Sequence, residues 1–444
     1  MSEIIILHGY SDDRDSFEPL ASFLGQNGFT TTQIFLGDYV SLEDTVTIPD
    51  LAKAFEAALG ALGIATTKNN FDLIVHSTGS LVAREWLTRF YLEEGKPCPI
   101  WRYLMLAPAN FGSPLGHIGK TMLGRVVKGW RTGFESGTKV LDSLELASPY
   151  TWQLARRDLF GEKSFYQPGV CLTAVLVGSK PYQTGLRQIV DKNGGDGTVY
   201  VCTANLNATG IALNLGRKGD KPVAQVWERA AEPIALGVFP DRDHGSITRP
   251  DQGDPQLGQF ILDFLHLDST PDYRAYSQRC DALTATTLPT ATPPAADIFH
   301  TYQNLVARVT DDLGFSVADY FLEFYERPGS ARDEKRVDDL MVTIHTEILE
   351  SVHVYGNDSS YRSLLFDLTD LAKILANDEE LVFSLSAAHL SDLIGYSAGA
   401  DNDIGEYPVD DLARSPFWQA NSTVLLDVCI ERTQSADTFK LAPA

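Results

Sequence analysis

The sequence is short of cysteine and short of positive charge, and both shortages narrow what the chain can be. Five cysteines occur in 444 residues, at positions 98, 171, 202, 280 and 429, with no C-x-x-C pair and no metal spacing. An odd, scattered set does not make a disulfide framework, so a reducing compartment is the simpler expectation. Lys and Arg number 36 against 59 Asp and Glu, a formal charge of −23. A surface this acidic repels phosphate backbones and argues strongly against nucleic acid as a partner. No stretch approaches the ~20 apolar residues that span a bilayer. The first apolar run begins almost at Met1 without a basic segment ahead of it, so no secretory signal peptide is expected. Phosphate-binding loops and dinucleotide fingerprints are also absent.

Of the residues present, 44% are hydrophobic, enough for a sizeable core, and the length suggests two domains. The run 284–296, made of Thr, Ala and Pro without periodicity, reads as a linker between domains at 1–283 and 297–444. Upstream, apolar runs such as Ile4–Leu7 and Leu172–Gly178 alternate with helical patterns such as Leu51–Leu59. That alternation predicts an α/β domain with a mainly parallel sheet. Downstream the pattern predicts a mainly antiparallel, sandwich-like β domain. Leu305–Thr310 and Val317–Tyr325 read as a hairpin, Met341–His345 and Thr423–Ile430 as further strands, and Leu364–Leu375 as ambiguous.

Leu73–Val75 is an apolar strand that runs into His76-Ser77-Thr78-Gly79. This is most of a nucleophile elbow, G-x-S-x-G, in which a sharp strand-to-helix turn lifts a serine hydroxyl above the sheet. Val75 stands where the first glycine usually is, which implies a slightly looser approach on the strand side. Leu81–Leu87 follows as an amphipathic helix, apolar at 82, 83, 86 and 87. The first strand ends in His8-Gly9-Tyr10. In α/β-hydrolases the turn after such a strand gives one backbone N–H to the oxyanion, and the residue after the nucleophile gives the other. Tyr10 and Thr78 are the expected donors, and His8 either belongs to that turn or braces it.

A serine hydroxyl needs a base, and this fold orders its partners as Ser, then Asp or Glu, then His. Of nine histidines, His76 adjoins the nucleophile and is expected to point away from it, and His117 comes too early. His266 sits in a closing helix, and His300, His345, His353 and His389 lie past the linker. His244, at the tip of a polar loop after the apolar run Ile234–Phe239, remains. Asp196 in Gly194-Gly195-Asp196-Gly197 is the acid expected to orient it, with Asp191 as runner-up. Such chemistry calls for neither metal nor organic cofactor.

A cap or lid is expected over about 111–160. Within it Ile118, Met122, Leu123, Val126, Val127 and Trp130 share one helical stripe, with Lys120, Arg125, Lys128 and Arg131 around its other side. A basic amphipathic helix in an acidic protein suits a lipid surface or an acyl pocket, or else a cap packed on its own domain.

The elbow His76-Ser77-Thr78-Gly79 with Arg84-Glu85-Trp86, the loops Asp196-Gly197-Thr198-Val199 and Asp243-His244-Gly245, and the β-rich extension resemble PlaB-type bacterial phospholipase A/lysophospholipase A. The resemblance implies an α/β-hydrolase fold with Ser77, Asp196 and His244 as the triad. It also implies glycerophospholipid or lysophospholipid substrates, a homo-oligomer, and peripheral membrane association of an otherwise cytoplasmic chain. Met122, Val126, Trp130, Lys128 and Arg131 are then the expected membrane contacts. The residues by themselves point only to ester hydrolysis. A soluble carboxylesterase or lipase, an acyltransferase and a non-catalytic lipid-binding protein on the same fold stay open.

Overall fold

The computed structural model describes residues 3–9, 17–35, 44–118, 137–180, 194–215, 222–227, 232–287, 300–326, 341–375, 381–388, 390–391, 393–396, 406–409 and 416–434. The chain forms two compact units, Met1–Asn207 with Arg229–His300, and Ala208–Glu228 with Thr301–Ala444.

The first unit is built on strands β1 (Glu3–Leu7), β2 (Thr31–Ile34), β3 (Phe71–His76), β4 (Ile100–Leu106), β5 (Leu172–Gly178) and β8 (Ala235–Phe239). They form one sheet in the order β2-β1-β3-β4-β5-β8, every neighbouring pair parallel. The runs β3 and β5 are buried at every position, as expected when helices cover both faces of a parallel sheet. Helix α1 spans Glu18–Gln26 and α2 spans Ile48–Ala61. The latter starts in a capping box between Thr47 and Asp50 and buries Ile48, Leu51, Ala52, Phe55 and Leu59 at helical spacing.

Helix α3 (Gly79–Leu87) is buried on all sides rather than on one. Its two charged residues are accommodated by pairing. Arg84 makes two bonds to Asp158, Nε at 2.8 Å and Nη2 at 2.9 Å. Glu85 meets Arg89 and Arg157, each at 2.8 Å. Buried charges persist only when matched in this way.

The second unit carries strands β6 (Thr209–Asn214) and β7 (Val223–Trp227), which come from the middle of the span 1–283. They join β9 (Tyr302–Asp311), β11 (Leu349–Val354), β12 (Tyr361–Asp367) and β16 (Ser422–Ile430) in a sheet of order β11-β12-β9-β16-β6-β7. A smaller antiparallel sheet has β13 (Leu381–Ala387) between β10 (Tyr320–Glu326) and β15 (Glu406–Pro408). The two sheets share one core, in which Leu305, Leu364, Phe366 and Leu426 join Leu322, Phe324, Leu381 and Phe383. The larger sheet is mixed, since β16 is parallel to both β9 and β6.

Two local readings are corrected. The expected hairpin is formed only at its tip, where Thr310 bridges Ser316 and Val317 N donates to Val309 O at 3.0 Å, while β9 pairs with β12 and β16 and β10 crosses to β13. A tight turn does follow β9, with Asp311 Oδ1 accepting from Leu313 N and Phe315 N at 3.1 and 2.8 Å, but the chain leaves the sheet after it. Residues 341–345 are helical rather than extended, and a π-helical turn spans Ile344–Ile348. Ile344 and Ile348, four apart, are both buried. The ambiguous stretch splits into β12 and a helix Leu368–Leu375. Asp367 Oδ1 marks the break by accepting from Thr369 N and Asp370 N at 2.9 and 3.1 Å.

Candidate active site

Every expected triad residue follows the C-terminal end of a strand of the parallel sheet, where open α/β sheets gather their sites. Ser77 follows β3, Asp196 lies in the connection after β5, and His244 lies in the loop after β8. Ser77 has φ +52°, a left-handed conformation that costs an L residue roughly 1–2 kcal/mol. The turn is held by Ser77 N donating to Leu106 O at 3.2 Å and by Ala109 N donating to Ser77 O at 3.2 Å. Gly79 is required on steric grounds. A Cβ there would stand 2.8 Å from Leu7 O and 2.9 Å from His8 O. The end of β1 therefore crosses the head of α3 too closely for any side chain, while the fully buried Val75 is accepted on the strand side.

Asp196 is fully buried. Its Oδ1 accepts from Thr198 N at 2.9 Å and Val199 N at 2.8 Å. Its Oδ2 accepts from His244 Nδ1 at 2.8 Å. A carboxylate can only accept here, so Nδ1 carries the proton and Nε2 is left as the basic nitrogen. The main chains repeat the link, His244 N donating to Asp196 O at 3.0 Å. Gly194 and Gly197 adopt φ +82° and +86°, which lets the loop fold around its own carboxylate.

Two features were hidden from sequence reading. His76 has its ring centroid 4.6 Å from that of His244. Its Nε2 lies 3.0 Å from the His244 carbonyl oxygen. Beneath the site, Arg84 Nη1 donates to Asn110 O at 3.0 Å. Asn110 in turn donates to Ala204 O at 2.8 Å, and Tyr166 donates to Asp158 at 3.0 Å. The only sequence signal for this brace is a pair of charges inside an otherwise apolar helix.

His8 is fully buried, its ring 3.8 Å from Phe17 and 3.9 Å from Phe35. Thr78 occupies the N-cap of α3. Tyr10, Asp191, Met122, Val126, Lys128, Trp130 and Arg131 lie outside the described residues. His266 caps its helix at the surface, Nδ1 2.7 Å from Leu262 O. All five cysteines are free thiols. Among the described residues no helix is long and apolar enough to cross a membrane.

The fold has a counterpart among solved structures. Phospholipase PlaB from Legionella pneumophila matches 100% of this chain and 97% of its own, with a TM-score of 0.81 at 23% identity. The chain has the PlaB fold. PlaB in complex with thio-NAD matches over the same shares, at TM-score 0.80 and 22% identity. The first unit thus has the α/β-hydrolase fold, and the second is β-rich as in PlaB. No protein-family model matches the chain, and no curated protein matches it in sequence.

Proposed function

We propose that the protein is a serine hydrolase that cleaves carboxylic esters, with Ser77 as nucleophile, His244 as base and Asp196 as the acid that orients it. The Asp196–His244 pair, at 2.8 Å, carries this reading, beside a serine whose φ of +52° is that of an elbow. His244 Nε2 takes the Ser77 proton as the hydroxyl attacks the ester carbonyl, and returns it to the leaving alcohol. The Thr78 N–H, at the unsatisfied end of α3, and the Tyr10 N–H are the proposed oxyanion donors. Water activated by His244 then releases the acid from the acyl-enzyme.

For the acyl donor we propose glycerophospholipids and lysophospholipids, met at a membrane surface by a peripheral, self-associating protein. The fold shared with a protein described as a phospholipase supports this choice, as does the basic amphipathic stretch around Met122, Val126, Lys128, Trp130 and Arg131. The test joins two measurements. A fluorophosphonate probe should label wild type and spare Ser77→Ala. Hydrolysis of phospholipid and lysophospholipid vesicles should exceed hydrolysis of a short soluble ester. Labelling with the opposite preference would make the protein a soluble carboxylesterase, and no labelling would make it a binding protein.

A further inference from the structure

We propose that His76 is a positioning residue that ties the base to the strand bearing the nucleophile; this rests on the serine-hydrolase reading above. His76 is 4% exposed. Its Nε2 lies 3.0 Å from the backbone oxygen of His244, 168 residues away in the chain. A carbonyl oxygen only accepts, so Nε2 carries the proton and donates. The Phe17 ring also meets it edge-on at 5.3 Å, and Phe17 itself packs on His8.

His76 is the last residue of β3, in register with Leu106 of β4, and Ser77 is the next residue. One dipeptide therefore fixes the hydroxyl through its backbone and the base through its side chain. His244 is held at three atoms, and two of those bonds, from its N–H and its Nδ1, go to Asp196. Both restrain the base relative to the acid loop. The His76 bond restrains it relative to the nucleophile, which is the separation that proton transfer depends on. No proton passes through His76, and it touches no substrate in this account.

A core histidine would matter to stability alone, whereas a positioning residue should matter to kcat. A displacement of about 1 Å between reacting groups costs on the order of 100-fold. The experiment uses the full chain with a short soluble ester, and compares His76→Leu, His76→Gln and His76→Asn with wild type. Each variant is scored for kcat, KM and unfolding midpoint. The Gln amide can place an N–H where Nε2 stands, while the Asn amide stops short. We expect His76→Leu and His76→Asn to lose about 10- to 100-fold in kcat with little change in KM. His76→Gln should recover most of that loss at an unfolding midpoint no higher than that of Asn. Wild-type kcat in His76→Leu would overturn the proposal, and so would equal kcat in the Gln and Asn variants. If Leu fails to fold, the Gln and Asn pair still decides. Wild type is run beside Ser77→Ala. Turnover that survives Ser77→Ala, or is missing from wild type on the soluble ester and on phospholipid vesicles alike, overturns the hydrolase reading and this proposal together. Ser77-dependent turnover indifferent to residue 76 overturns this one alone.

Discussion

His244 and Asp196 are joined twice, ring to carboxylate at 2.8 Å and backbone to backbone at 3.0 Å. The second link holds the imidazole in place even when the first is weakened. Asp196→Asn should therefore leave the fold intact, with near-UV circular dichroism unchanged, while the tautomer preference is lost. We expect kcat to fall by about 10³–10⁴-fold. Ser77→Ala and His244→Asn should leave only a remnant of turnover. An Asp196→Asn enzyme near wild type, with Asp191→Asn dead, would move the acid to Asp191.

Gly79→Ala tests the crossing of β1 over α3. The added methyl must displace the backbone oxygens of Leu7 and His8, now 2.8 and 2.9 Å from its position. A loss of about 1–3 kcal/mol in urea unfolding is expected, together with a loss of kcat, because the shift falls on the elbow. Gly25→Ala, where nothing lies within 4 Å, is the control and should retain full activity.

Arg84 and Asp158 are 0% and 1% exposed. Arg84→Met should lower stability by about 3–5 kcal/mol by leaving the buried Asp158 carboxylate without its cation, with the Tyr166 hydroxyl still donating to it. Arg84→Met combined with Asp158→Leu should recover part of it. Denaturant midpoints of the two single variants and the double variant measure the coupling. A double variant less stable than either single would show that the network through Asn110 and Tyr166 needs its charges.

A fragment ending at residue 283 keeps β6 and β7 but loses their sheet. Ile211 and Leu213, at most 1% exposed in the full chain, would lose the core that buries them. Fragment 1–283 should aggregate, as measured by light scattering, and replacing 208–228 with a short Gly/Ser linker should reduce that. Equal solubility of the two fragments would count against the assignment of β6 and β7 to the second unit's sheet.

Much of the first unit was legible because its signals are local. β1 holds a continuous apolar run, β3 and β5 are mostly apolar, α2 has a capped and periodic face, and chain order singled out Asp196 and His244. The failures lie where partners are remote. β9 and β10 look like a hairpin because both are apolar and close in sequence, but apolar alternation does not name a strand's partner. Met341–His345 reads as a strand because β-branched residues favour one, and the burial of Ile344 with Ile348 overrode that preference. The tie from His76 to His244 escaped notice because it goes to a main-chain atom, and a carbonyl has no residue type to read.

The placement of β16 has a consequence for how the protein is made. β6 and β7 leave the ribosome early, as a two-stranded ribbon that is marginal in water by itself. The strand next to β6 is the much later β16, since Thr209 pairs with Val424, and the same strand closes against β9 at Val424 and Leu305. The parallel sheet of the first unit has all its strands by residue 239. The nascent chain can thus complete its parallel sheet while two edges of the other sheet stay unpaired until β16 has been made. Translation that stalls before residue 422 leaves those edges open to other chains.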